Sequence, residues 1–177
     1  MRYPRRSLEF VVTLGNIVRK PNILVILPDQ LRSDALGVYG DPNIHTPHID
    51  RLANGGVMFT NACSTAPVCV PFRFTLMTGE YAHSRAVANI FYRMSPAERT
   101  LADEFNEAGY DTMYCGKWHL NGLPYVTGAA ANVAQIKPSH QGRWKKWLWF
   151  ELANNPFNPD FPDRDTILCI IEHRSTA

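Results

Sequence analysis

Apolar and polar positions fall into short blocks along the chain, most of them closed by a turn residue. Residues 22–28 are a nearly unbroken run of aliphatic side chains, the pattern of a strand covered on both faces in a parallel sheet. The run stops at Asp29 and Gln30. Thr46 and Pro47 then supply an N-cap and a first-turn proline, so a helix is predicted over residues 48–53, closed by Gly55 and Gly56. Val57, Met58, Phe59 and Thr60 read as the next short strand.

Pro71 opens a second helical stretch over residues 72–77, ended by Thr78 and Gly79, which puts Cys69 near a helix N-terminus. Thr100 caps a third over residues 101–108, with Asp103 in the capping-box position and Gly109 as the stop. Residues 110–114 are then a strand running out into Cys115, Gly116, Lys117, Trp118 and His119. A last apolar run, residues 166–171, is a displaced terminal strand or a tail. This order predicts an α/β fold with a largely parallel sheet. Ligands of such sheets sit beyond the carboxyl ends of the strands. Asp29, Gln30, Lys117 and His119 all follow predicted strand ends, and Cys69 and Arg73 are within reach of the same edge.

Composition narrows the class. With 45% apolar and 19% charged residues in 177, the chain suits one globular domain and excludes collagen-like, coiled-coil and disordered classes. The net charge of +2 comes from a basic start, since residues 1–20 hold five basic side chains and one acid, so nucleic-acid binding is not expected. Four cysteines without a C-x-x-C pair support neither a disulfide scaffold nor a zinc knuckle. The apolar stretches at residues 10–18 and 22–28 are too short for a membrane span. Glu9 and Asn16 interrupt the start and no small-residue cleavage site follows, which favours a cytoplasmic location over periplasm or secretion.

Asp29 and Gln30 place a carboxylate beside an amide oxygen, a pair suited to a hard cation and equally to an ordinary turn. Cys69 with Arg73 one helical turn later joins a candidate nucleophile to a cation; the plainer alternative is a structural cysteine. The aromatic stretch at residues 144–150 offers a platform for a sugar ring, although packing is the commoner use.

Residues 69–79, with C-x-P-x-R-x-x-x-x-T-G, resemble the first signature of the type I sulfatases, whose cysteine is converted to formylglycine. Residues 109–119 are similar to the family's G-Y-x-T-x-x-x-G-K-W-H motif and agree at every specified position. Residues 21–29, with Asp34, Leu36, Gly37, Tyr39 and Gly40, resemble its opening strand and metal loop, and residues 46–53 its T-P-N-I-D-x-L-A helix with His48 for Asn. The four segments keep the family's order over residues 21–122. Val70 and Phe72 stand where small residues are usual, and Gln30 where a second aspartate is frequent. The resemblance implies an alkaline-phosphatase-like α/β/α sandwich with a mostly parallel sheet. Residues 21–177 would be its N-terminal portion, and residues 1–20 an extension expected to be disordered.

It also implies sulfate ester hydrolysis. Formylglycine at position 69, hydrated to a gem-diol, would attack sulfur, the alcohol would leave, and the second hydroxyl would expel sulfate. Asp29, Gln30 and the modified Cys69 would hold Ca2+, with Mg2+ as the alternative. Arg73 would steady the diol alkoxide, Lys117 would neutralise sulfate oxygens, and His119 would be the base near neutral pH. The implied partners are a small-molecule or carbohydrate sulfate ester and a maturing enzyme, either a formylglycine-generating enzyme or a radical maturase. A phosphonate or phosphate monoester hydrolase and a non-catalytic remnant are the other readings. The family's later Asp-Asn or Asp-His ligand step does not occur in the 177 residues, nor does a lysine after Lys146. The chain alone is therefore expected to be a poor enzyme with exposed apolar edges.

Overall fold

The structure is a computed structural model that describes residues 20–29, 31–122, 136–150 and 166–173. Gln30 and the extension before Lys20 lie outside the described residues.

Four strands form one sheet: β1 (Ile23–Pro28), β2 (Tyr110–Lys117), β3 (Lys146–Phe150) and β4 (Thr166–His173), in spatial order β1-β4-β2-β3. β2 and β3 are parallel, with Tyr114 opposite Trp147. β4 is antiparallel to both β1 and β2, so β1, β2 and β3 share one direction and β4 alone is reversed. The helices are α1 (Pro47–Gly55), α2 (Cys69–Thr78) and α3 (Leu101–Glu107). Val70, Phe74 and Met77 of α2 and Ala102 of α3 share an apolar core with Tyr110 and Tyr114 of β2, and Trp118, Trp144 and Ile171 join it.

Local chemistry explains the helix ends. α2 ends on Gly79 at φ +70°, whose N–H donates to the Thr75 carbonyl at 2.8 Å. At α3 the Thr100 N–H donates to Asp103 Oδ2 at 2.6 Å, and the Thr100 hydroxyl donates to the Gly142 carbonyl at 2.8 Å. Thr46 sits at the α1 cap position, yet its hydroxyl donates to Asp50 and accepts from the Gly37 N–H, tying the preceding turn to the helix.

Two expectations change. β1 is covered on one face only: Ile23, Val25 and Leu27 turn inward, while Leu24 and Ile26 are 58% and 54% exposed. α1 packs against the turn Gly37–Tyr39. Val57 to Thr60 is irregular and exposed, because an apolar run without a pairing neighbour makes no strand. In the aromatic stretch residues 146–150 form β3, and Trp147, together with Trp144 just before it, packs inward against Tyr114, the commoner of the two uses.

Candidate active site

β1 and β2 run together, so their carboxyl ends open on one rim of the sheet, and Asp29 and Lys117 meet there. Lys117 Nζ lies 2.6 Å from Asp29 Oδ2. α2 brings the third member. Its Arg73 approaches Asp29 Oδ1 at 3.5 Å and donates from Nη1 to the Lys117 carbonyl at 2.5 Å. Both cations are almost fully buried, at 2% exposure for Arg73 and 3% for Lys117. Cys69 is the first residue of α2, a free and half-buried thiol. Four residues before Arg73, it shares that helix face.

The tyrosine of this rim was not foreseen. Tyr114 is fully buried, stacks on Trp147 with centroids 5.0 Å apart, meets the edge of Trp118 at 5.2 Å, and donates its hydroxyl to the Lys117 carbonyl. The carbonyl that ends β2 thus accepts from both Tyr114 and Arg73. The signal available was alternation, since Tyr110, Thr112 and Tyr114 are the inward positions of β2.

His119 follows at φ +53°, a left-handed backbone that costs a non-glycine residue roughly 1–2 kcal/mol and turns the chain back at the rim. It is buried, and among the described residues neither ring nitrogen has a hydrogen-bond partner; Arg73 Nε is likewise buried and without one. Burial, then the charges of Lys117 and Arg73, push its pKa down to about 4, with Asp29 opposing. The ring is therefore neutral at neutral pH, a lower value than the near-neutral one expected from the sequence.

This predicts acid sensitivity. Unfolded, His119 takes a proton near pH 6.5; folded, only near pH 4. Between these values the unfolded state binds more protons, so stability falls as pH drops, by on the order of 3 kcal/mol in all. Urea midpoints measured across this window should decline for the unaltered chain and decline less for His119→Phe. Equal slopes would refute the assignment.

The residues described here do not fit a calcium site. Calcium takes 6–8 oxygen ligands, whereas both Asp29 oxygens already face cations, and no group of three His, Cys, Asp or Glu that could hold a metal occurs among the described residues. A groove of about 290 Å³ lined by Met77, Gly79, Glu98 and Leu101 lies at the other end of α2 and gathers none of the site residues.

Comparison with known proteins gives the family. The sulfatase family model matches residues 21–147. The chain is 48% identical over 103 residues to the ulvan-active sulfatase of Formosa agariphila, covering 58% of this chain and 20% of that protein. It is 44% identical over 132 residues to the N-acetylgalactosamine-6-O-sulfatase of Bacteroides thetaiotaomicron, covering 72% of this chain and 25% of that protein. The crystal structure of YidJ from Bacteroides fragilis superposes with a TM-score of 0.64 at 28% identity, over 82% of this chain and 35% of that one. The chain thus spans 20% to 25% of the length of these two relatives. By motif, matched span and shared alkaline-phosphatase-like fold, it belongs to the sulfatase family, of whose domain it carries a part.

Proposed function

We propose that the chain carries the nucleophile-bearing part of a sulfate ester hydrolase site, with Cys69, Arg73, Lys117 and His119 as its catalytic residues. The supporting observation is the meeting of Arg73, Lys117 and Asp29 on the rim where β1 and β2 both end, with Cys69 one helical turn from Arg73. Residues 21–177 are, in this reading, the N-terminal portion of the catalytic domain.

Conversion of Cys69 to formylglycine would put an aldehyde carbon at the nucleophile position, and a half-buried first-turn residue leaves that position reachable. Lys117 and Arg73 supply the positive charge that sulfate oxygens and a departing alkoxide need, in a buried setting that strengthens it. His119, neutral at neutral pH, is the proton acceptor. A bound sulfate group would offset the charges of Lys117 and Arg73 and bring its pKa back up. No step is assigned to calcium. The names of the two relatives favour a carbohydrate sulfate ester as substrate class.

The test is production together with a formylglycine-generating enzyme or a radical maturase. The peptide containing Cys69 should become lighter by about 18 Da, the net loss of hydrogen sulfide and gain of oxygen. The matured protein should then hydrolyse an aryl sulfate in preference to an aryl phosphonate. A thiol left intact by both maturases overturns the nucleophile assignment, and a phosphonate preference overturns the substrate class.

A further inference from the structure

The carboxylate of Asp29 is already matched. Lys117 lies 2.6 Å from one oxygen and Arg73 3.5 Å from the other, and both cations are buried. A divalent ion placed there would sit against two like-charged groups with one carboxylate between them, in an interior that screens repulsion poorly. Among the described residues, one negative charge against two positive ones instead leaves the rim short of an anion. Arg73 Nε, buried and without a hydrogen-bond partner among the described residues, is a donor open to an acceptor.

We infer that in the 177-residue chain Asp29 is an internal anion and not a cation ligand: its carboxylate occupies the Lys117 and Arg73 pair that an incoming sulfate group needs. The inference rests on the oxyanion reading proposed above. A sulfate group has to displace Asp29 from Lys117 Nζ and from the Arg73 guanidinium. Once seated, it also gains Arg73 Nε. The Asp29 contact is therefore self-blocking. It satisfies two buried cations while the site is empty and weakens anion binding by competition.

The experiment uses the full 177-residue chain, with calcium chloride, magnesium chloride and sodium sulfate titrated at constant ionic strength and followed by calorimetry and thermal unfolding. For the unaltered chain, sulfate should bind weakly and raise the melting temperature, and neither divalent cation should. Asp29→Asn, which keeps the shape and removes the charge, should bind sulfate about tenfold more tightly, since a competing anion within reach of the same cations is lost. If that variant folds only with added anion, rescue by sulfate and not by calcium supports the inference equally. Calcium-dependent stabilisation of the unaltered chain that disappears in Asp29→Asn overturns it, as does an unchanged sulfate affinity. Failure of sulfate to bind either form overturns the oxyanion reading itself, whereas calcium uptake with sulfate binding intact overturns only the role given to Asp29.

Discussion

Trp118→Ala is expected to destabilise the chain by about 3–5 kcal/mol, the usual result of emptying a buried aromatic site. The indole is fully buried, with its ring centroid 5.2 Å from Tyr114 and 4.9 Å from Trp147 in edge-on contacts. It also closes on the backbone: a Cβ built on Gly142 would meet Trp118 Cη2 at 2.8 Å, so that turn has been shaped around the ring. A domain of this kind has a total stability of about 5–15 kcal/mol, so the loss is a large share of it. Urea unfolding of the variant measures it directly, with Trp118→Phe expected to recover part of the difference. A midpoint close to that of the unaltered chain would show that the ring is replaceable by solvent, and would remove the account of the core given above. Because Trp118 lies between Lys117 and His119, the same substitution should also disperse the rim.

Lys117→Ala is expected to lower the turnover of an aryl sulfate by about 10²–10³-fold in the matured protein, the range found when one aligned charge-stabilising donor is removed. Its ammonium is held in place from two sides, by the Asp29 carboxylate and by a backbone whose carbonyl accepts from Arg73 and Tyr114. Once a sulfate group has displaced Asp29, a cation on a backbone fixed in this way meets developing negative charge with little further reorganisation. Lys117→Arg should restore little, because a planar fork does not reproduce a point charge at the same depth. Steady-state kinetics on both variants check this. Turnover in Lys117→Ala within a few fold of the unaltered protein would exclude Lys117 from the chemistry.

The helices and the rim were readable because their signals are local. Thr100 with Asp103, and Gly79 after Thr78, are cap and stop residues whose geometry depends on a few neighbours, and both occur where expected. The strand-end positions of Asp29 and Lys117 follow from runs that stop abruptly, and the motif spacing around Cys69 and Arg73 marks one helical turn. What failed depends on distant partners. Residues 57–60 have the composition of a strand but no neighbour to pair with, and residues 146–150 have a neighbour although their lysine and tryptophan content gave no alternation to follow. The direction of β4 leaves no trace in its own periodicity. The depressed pKa of His119 and the pairing of Asp29 with Lys117 arise from burial and from residues nearly ninety positions apart, which no local pattern records.

The reversed strand has a consequence for how the polypeptide matures during synthesis. Ile23 pairs with Ile171 and Pro28 with Thr166, so the partner that β1 has among the described strands is not made until nearly everything between them has been translated. Pairings of such long sequence separation close slowly, and an aliphatic edge left waiting is the kind of surface that associates with other chains. Nascent chains stalled before residue 166 should therefore engage chaperones through the segment around Ile23 and release them once residue 173 has emerged.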